Sequence, residues 1–329
     1  MEKLRKVMKS YTRELSTLLA LMIIIVIFSA IAPRYLEISN LMDIVEQGTV
    51  NGFLAIGVTC AIITGGIDLS VGSAMAVSIV TCGRLAVAGV PPLAVVVIGL
   101  GLGALIGTIN GLLVTKMKLQ PFIATMGTNS VLRGIAYLIT GGWPVLNIPK
   151  EFRQIFQYSI VPNLRMSMIV LVLMAVIYSF ILKKRKTGVY IYAIGSNEEA
   201  TKLSGVNTDK FKIMAYMLCS MGAAMAGMVT LARLGTGEPT GGEGYELNAI
   251  AAAAIGGTSL AGGKGSILGT VLGALILSAL KIGLVVVGMD TFYQYIATGL
   301  IIIVAVYLEV VQQKVSGIFS KKKKAAQRA

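Results

Sequence analysis

The chain has 329 residues, of which 55% are hydrophobic and only 13% are charged, and its formal net charge is +14. A mean hydropathy of +0.80, together with long and repeated apolar runs, excludes an ordinary water-soluble core. There is no histidine, and the three cysteines all lie within apolar segments. These features argue against a Ser-His-Asp hydrolase, a zinc site or a disulfide framework.

Segments long enough to cross a bilayer follow one another along the chain. Because a helix rises about 1.5 Å per residue and the hydrocarbon layer is about 30 Å thick, one crossing takes about 20 apolar residues. The runs 18–32 and 169–182 are continuously apolar, whereas the strands of a membrane β-barrel alternate in polarity. The sequence therefore predicts an all-α polytopic membrane protein. The predicted transmembrane helices, about ten, are 16–33, 46–64, 69–89, 92–115, 121–140, 164–182, 211–231, 246–261, 266–287 and 292–309.

Three of these segments are less certain to span the membrane. Glycines and small polar residues interrupt 246–261 and 266–287, which could form half-helices or re-entrant turns instead. The first segment follows a basic stretch, as a secretory signal does. Because its retention makes the charge distribution consistent along the whole chain, we expect it to remain as a span.

The distribution of lysine and arginine predicts the orientation, since basic residues near span ends are retained in the cytoplasm. With ten spans, 21 of the 29 basic residues fall on the side of both termini and five on the opposite side. Both termini are therefore predicted to be cytoplasmic. We expect a basic N-terminus over 1–15, a single transmembrane domain over 16–309 and a basic tail over 310–329. The lysine run in the tail is typical of an anchor that faces anionic membrane lipid, so no nucleic acid is expected as a partner.

The sequence indicates no energy source within the chain. The stretch around Lys264 departs from the phosphate-binding loop, because Thr258 stands at the place of its first glycine and Gly265 follows the lysine. Acidic residues, Glu246 among them, are expected near span ends, which argues against a proton relay at span centres. An energy source that docks on the cytoplasmic face fits these features. No cofactor and no metal are expected.

The longest predicted cytoplasmic loop, about residues 183–210, carries the signature of a short helix. Ser196 and Glu199 have the spacing of a capping box, acidic residues favour the first turn, and Gly205 can supply the left-handed turn that ends the helix. The sequence predicts a helix over about 197–204. The residues assigned to this coupling segment are Ser196, Asn197, Glu198, Glu199, Ala200, Thr201, Lys202, Leu203, Ser204 and Gly205.

A helix of two turns is marginal alone in water and needs a partner surface. Ala200 and Leu203, three residues apart, would give it an apolar face, while Thr201 and Lys202 would stay polar. We predict that this helix docks on a cytoplasmic subunit. The alternative is an ordinary connector that rests on the bilayer surface.

Five motifs stand out along the chain: T-G-G-I-D-L-S-V-G-S at 64–73, P-F-I-A-T at 121–125, N-E-E-A-T-K-L-S-G-V at 197–206, G-Y-E-L at 244–247 and G-G-T-S-L-A-G-G-K-G at 256–265. The first and the last are long and specific. Together they resemble the permease subunits of ribose-type sugar ATP-binding cassette importers, and the resemblance covers nearly the whole chain.

This resemblance implies a multi-pass subunit of the bacterial inner membrane that transports a monosaccharide, with ribose the favoured sugar, and that is not itself an enzyme. Its implied partners are a second copy of the chain, a cytoplasmic ATP-binding subunit and an extracytoplasmic sugar-binding protein. The segment 196–205 would be the coupling helix that meets the ATPase. The resemblance also suggests two related halves, around the second to fifth and the seventh to tenth spans.

Several polar residues are candidates for function. Asp68 and Ser70 head the third span, where they would cap its first amides or act at a cytoplasmic gate. The glycines of 256–265 are expected to permit close packing or a tight reversal rather than to contact sugar. Sugars favour planar polar groups and aromatic faces, so the predicted pathway lining is Gln47, Asn51, Asn129, Arg133, Tyr245, Asn248 and Tyr293.

Other functions fit parts of the sequence. A related permease for branched-chain amino acids, or for a furanose signalling molecule, would share the architecture. A stand-alone secondary carrier or channel would differ in class and would not need the helix at 197–204. An integral-membrane enzyme is the least supported class, because no nucleophile with a base is evident.

Overall fold

The computed structural model describes residues 12–161, 163–290, 292–301, 303, 304 and 307. The predicted tail over 310–329 and most of the predicted N-terminal segment over 1–15 lie outside the described residues. The helices are α1 Thr12–Ile31, α2 Ile38–Ile63, α3 Val71–Val87, α4 Pro92–Thr115, α5 Pro121–Thr140, α6 Lys150–Gln157, α7 Met166–Lys184, α8 Lys186–Ser196, α9 Glu198–Leu203, α10 Thr208–Leu234, α11 Tyr245–Ile255 and α12 Ile267–Val286.

The predicted spans coincide with helices, and this confirms the helical, polytopic membrane class. Five of the described helices, namely α1, α4, α7, α10 and α12, are long and apolar enough to cross a membrane, and α3 and α11 are apolar but shorter. Residues 292–301, at the start of the last predicted span, are helical as well. The count of ten spans and the cytoplasmic position of both termini stay predictions.

Four elements between the spans were not predicted. A 3-10 turn, Pro33–Leu36, follows α1, and α8 occupies the first part of the loop predicted over 183–210. Between α5 and α7, the amphipathic helix α6 buries Phe152 and Phe156, and a small antiparallel hairpin follows it, formed by β1 Ser159–Val161 and β2 Leu164–Arg165. The hairpin is a minor departure from the all-α prediction.

Helix α10 lies at the centre of the bundle and packs against α2, α3 and α4. Glycines on its neighbours bring the backbones together: a methyl group at Gly107 of α4 would stand 2.2 Å from the carbonyl oxygen of Tyr216, and one at Gly57 of α2 would stand 2.5 Å from that of Cys219. Small residues permit this close approach where lipid provides no hydrophobic driving force. All three cysteines are buried and free, as the sequence suggested.

The side on which α2 ends, at Ile63, is called here the inner side, because it is the side predicted to face the cytoplasm. The opposite side is the outer side. On the outer side, Val145 and Gly237 form a two-way backbone bridge with N···O distances of 3.0 and 2.8 Å. This bridge holds the connection that leaves α10 against the loop that follows α5.

The chain then turns back into the bundle before α11 begins. A methyl group at Gly72, in the first turn of α3, would stand 2.5 Å from the carbonyl oxygen of Gly242. Helix α11 has 11 residues, about 16 Å by its rise, which is too short to cross a bilayer. The prediction of a span over 246–261 is therefore wrong at its end, and the re-entrant alternative describes this segment better.

Candidate functional site

The predicted coupling segment forms a helix, α9, but its cap differs from the prediction. Asn197 is the N-cap, and its Oδ1 accepts a 2.9 Å hydrogen bond from the amide of Ala200. Ser196 does not cap α9, because it is the last residue of α8. Gly205 follows with φ +81°, in the left-handed conformation expected for the end of the helix.

On α9, Thr201 departs from the prediction that it stays on a polar face. Thr201 is buried, and its hydroxyl donates to the carbonyl oxygen of Asn197 at 2.7 Å. Leu203 is 88% exposed, and Ala200, Glu199 and Lys202 are exposed with it. The apolar side chain therefore points away from the bundle.

A groove of about 380 Å³ lies between α8 and α9. It is lined by Val189, Tyr190, Ala193, Ser196, Asn197, Ala200, Thr201, Ser204 and Val206. Leu203 stands beside this groove on the same short helix, so the segment offers both a concavity and an apolar projection on the inner side.

One ion pair fastens the coupling segment to the bundle, and a second one nearby joins α4 to α10. Lys212 at the start of α10 pairs with Glu198 at 2.5 Å, and Lys116 at the end of α4 pairs with Asp209 at 2.7 Å. Both pairs are partly exposed, and such pairs contribute about 0–1 kcal/mol each to stability. The Lys212–Glu198 pair therefore orients the segment more than it stabilises the fold.

Backbone contacts connect the coupling segment to two loops at the inner ends of α2 and α11. A methyl group at Gly195 of α8 would stand 1.7 Å from the carbonyl oxygen of Ile63 and 2.5 Å from the amide nitrogen of Gly263. The Tyr192 hydroxyl donates to the carbonyl oxygen of Gly265 at 2.8 Å. Burial raises the pKa of Tyr192 to about 12, so this hydroxyl keeps its proton at neutral pH.

Asp68 and Ser70 form a buried polar cluster instead of capping α3. Neither side chain makes a capping bond to the amides of α3. Asp68 accepts from the amide of Ser70 at 2.9 Å and from its hydroxyl at 2.6 Å, and Asn110 of α4 donates to Ser70 at 2.7 Å. Thr128 of α5 donates to Asn110 at 2.7 Å. The cluster therefore links the connection between α2 and α3 to α4 and α5.

The structure brings four of the seven predicted pathway residues to one region, around the first turns of α3 and α11. Gln47 donates to the hydroxyl of Tyr245 at 3.2 Å, and Asn129 accepts from the hydroxyl of Ser73 at 2.6 Å. Arg133 donates from one nitrogen to the carbonyl oxygens of Pro239 and Gly241, at 2.8 and 3.0 Å. Each of the four is partly exposed.

The other three predicted pathway residues lie apart or have fewer contacts. Asn51 is buried and donates to Ser278 of α12 at 3.3 Å, between two packed helices. Tyr293 is 60% exposed, on the helical residues 292–301. Asn248 is partly exposed, one turn beyond Tyr245.

The sequence reading missed three residues that the structure places at these sites. Asn110 and Thr128 complete the Asp68 cluster, and Glu246 lies against the first turn of α3. The signal for Asn110 was a buried amide in an apolar run, and that for Glu246 was a carboxylate inside the G-Y-E-L motif. Within the part of the chain that the structure describes, no group of side chains could hold a metal ion.

Residues 40–306 match the family model described as a branched-chain amino acid transport system / permease component. The ribose import permease protein RbsC of Escherichia coli K12 is 41% identical over 304 residues, which cover 92% of this chain and 95% of that protein. RbsC of Bacillus subtilis 168 is also 41% identical, over 298 residues, with coverage of 90% and 92%. The fructose import permease protein FrcC of Rhizobium meliloti is 35% identical over 309 residues, with coverage of 89% and 84%. No solved structure matches the chain.

Proposed function

We propose that this chain, a member of the family described as branched-chain amino acid transport system / permease component, is the membrane-spanning permease subunit of an ATP-driven sugar importer. The match over residues 40–306 and the similarity to ribose import permeases show the membership. The chain forms the path of a monosaccharide, ribose in the first place, across the bacterial inner membrane. The family description names amino acids, but the relatives at 41% identity are ribose permeases. Other sugars stay open, since the D-allose and fructose permeases are also similar.

The observation that carries the proposal is the coupling segment on the inner side, together with the resemblance over 92% of the chain. A stand-alone carrier would not need the capped helix α9 on its inner side. In the importer, α9 enters a surface of the cytoplasmic ATP-binding subunit, and Leu203 is its apolar contact. The permease itself hydrolyses no ATP.

The contacts of Gly195 indicate how a movement of the ATPase reaches the membrane domain. Gly195 lies one residue before the end of α8 and touches the backbones of Ile63 and Gly263 without an intervening side chain. A displacement of α8 and α9 therefore pushes directly on the inner ends of α2 and α11. Backbone contacts of this kind transmit a movement because close-packed groups cannot absorb it.

The remaining partners belong to the same proposal. A second copy of the chain completes the membrane domain, and an extracytoplasmic sugar-binding protein delivers the sugar at the outer side. The binding protein sets most of the specificity, so the permease needs only a wettable path that binds sugar weakly. The partly exposed polar residues Gln47, Asn129, Arg133 and Tyr245 suit such a path.

The test is sugar uptake by proteoliposomes that contain the chain, its ATP-binding subunit and the loaded binding protein. Leu203→Asp is compared with Leu146→Asp, a matched change at a leucine that is 57% exposed on the outer side. We expect Leu203→Asp to lower stimulated ATP hydrolysis and uptake at least tenfold and Leu146→Asp to leave assembly with the ATPase intact. Uptake by the wild-type chain without the ATPase would favour a stand-alone carrier instead.

A further inference from the structure

Glu246 is a carboxylate in the interior of the membrane domain with no partner among the described residues. Two other acidic side chains within the bundle are compensated: Glu46 pairs with Arg165, and Asp68 accepts from Ser70 and Asn110. For Glu246, the described residues provide neither a hydrogen bond nor an ion pair, and the side chain is partly exposed. A methyl group at Gly72 would stand only 2.3 Å from its Oε2. The carboxylate therefore lies against the first turn of α3.

The depth of Glu246 follows from what surrounds α3. Asp68, just before α3, contacts Cys219, and a methyl group at Gly227 would stand 2.6 Å from the carbonyl oxygen of Met75. Gly72 therefore lies beside residues 219–227, in the central part of α10. Glu246 is at the same height, near the middle of the membrane. The expectation that it lies near a span end is wrong, because the chain re-enters the bundle before α11 begins.

The two helices that meet at Glu246 occupy corresponding positions in the two proposed halves. Each follows a T-G-G sequence, 64–66 before α3 and 240–242 before α11, and each is shorter than its neighbours. From their first turns, α3 runs to the outer side and α11 to the inner side, where the loop after α11 binds the end of α2 through Gly263. Short, glycine-interrupted helices at matching positions of two halves mark the substrate sites of many transporters.

The side chains around this junction are polar and accessible. Gln47 and Tyr245 lie on one flank, Asn129 and Arg133 on the other, and all four are partly exposed. Polar groups at this depth are costly against lipid, so they face a water-filled path. A carboxylate, two amides and a phenol are the acceptors and donors that hydroxyl groups of a sugar need.

We propose that the monosaccharide crosses the centre of the permease at the junction of α3 and α11, where the carboxylate of Glu246 accepts hydrogen bonds from its hydroxyl groups. The proposal rests on the proposed function and adds a binding position within the path. Its ligand class is a neutral polyhydroxylated monosaccharide. Because no residue in the described part of the chain satisfies Glu246, the sugar replaces water at this carboxylate while it passes.

The test separates transport from ATP hydrolysis. Proteoliposomes with the full set of partners carry the wild type, Glu246→Gln, Glu246→Ala or Glu243→Gln; Glu243 is an exposed carboxylate on the same connection. We expect Glu246→Ala to lower the sugar taken up per ATP hydrolysed at least tenfold, Glu246→Gln to lower it less and Glu243→Gln to stay within twofold of the wild type. An unchanged ratio in Glu246→Ala would overturn the proposal.

A second measurement addresses the hydroxyl contact itself. Deoxy analogues of the sugar, each lacking one hydroxyl, are supplied in complex with the binding protein at a saturating concentration. In the wild type, one analogue should be carried at least fivefold more slowly than the parent sugar, and in Glu246→Ala that difference should vanish. If every analogue keeps the same relative rate in both proteins, Glu246 does not contact the sugar.

A third measurement does not depend on transport by the variant. Glu246→Cys is reacted with a small neutral thiol reagent, against the low background of three buried native cysteines. Saturating sugar should slow the reaction at least threefold, and no protection would contradict a sugar site there. If the wild type itself shows no uptake that depends on the ATPase, the proposed function fails instead. Failure of the sugar site and failure of the proposed function therefore give different results.

Discussion

The amide of Gly263 donates a 2.9 Å hydrogen bond to the carbonyl oxygen of Ile63 and thereby binds the loop after α11 to the inner end of α2. Gly195 of α8 touches both partners of this bond. Three segments that are distant in sequence therefore meet at one point without intervening side chains.

A side chain at Gly195 is expected to disrupt this meeting point. Gly195→Val would place a carbon 1.7 Å from the Ile63 oxygen, and the backbone on both sides must shift. Overpacking of this kind costs about 1–3 kcal/mol or more. The thermal unfolding temperature of the purified protein and its assembly with the ATPase should both fall. Gly101→Val is the control, because open space surrounds Gly101 of α4; equal losses in both variants would contradict the prediction.

Loss of the Asn110 amide should destabilise the fold through the Asp68 cluster. Asn110→Ala removes the donor to Ser70 and leaves the buried carboxylate with fewer partners, at a cost of about 1–3 kcal/mol. Thr108→Ala serves as control, since the Thr108 hydroxyl bonds only the carbonyl oxygen of Ala104 in its own helix. Both are measured by denaturant unfolding in detergent.

Losses of stability from changes within the same cluster should not be additive. Once Asn110 is replaced, Asp68→Asn should cost less than it costs in the wild type, because both changes act on one network. A double-mutant cycle of unfolding free energies measures the coupling. Strictly additive values would mean that Asp68 and Asn110 act independently.

Arg133 should hold the re-entrant connection in place. One of its nitrogens donates to the carbonyl oxygens of Pro239 and Gly241, so Arg133→Met removes both bonds. We expect the amides of 238–244 to exchange hydrogen at least tenfold faster in the variant. Arg84→Met, which removes a single 3.4 Å bond at an exposed site, should leave that segment unchanged. If the amides of 238–244 exchange equally slowly in both variants, other contacts hold this connection in place.

Cysteine labelling tests the predicted orientation. Trp143, 78% exposed, is expected on the outside, and Leu203, 88% exposed, in the cytoplasm. In right-side-out vesicles, a membrane-impermeant thiol reagent should label Trp143→Cys at once and Leu203→Cys only after permeabilisation. The wild type should stay nearly unlabelled because Cys60, Cys82 and Cys219 are buried. Reversed access would place both termini outside.

Local sequence features located most of the helices, because a membrane helix needs a continuous apolar run. A pair of lysines or a glycine turn marks the end of such a run. The runs at 92–115 and 121–140 were predicted to the residue. The coupling helix was located by the capping-box spacing of Ser196 and Glu199, the acidic first turn and Gly205. Its cap was assigned one residue too early, since Ser196 and Asn197 are both good caps and only the end of α8 decides between them.

Long-range packing decided what the local pattern could not. Periodicity placed Thr201 on the polar face of α9, and the structure buries it, because the direction of a six-residue helix depends on what it rests against. The predicted pathway residues Gln47, Asn129, Arg133 and Tyr245 converge, whereas Asn51 lies between packed helices. A polar residue within an apolar run has the same local sequence pattern whether it lines a path or lies between packed helices.

The sequence by itself determined the membrane class, the order of the helices, the short capped helix on the inner side and the family resemblance, because each depends on residues close together in the chain. The tertiary structure alone decided that α11 begins beside the first turn of α3, that Gly195 touches Ile63 and Gly263, and that Glu246 lies against Gly72 with no partner among the described residues. Those relations join residues more than 60 positions apart. No local pattern encodes them, since they depend on how the helices pack.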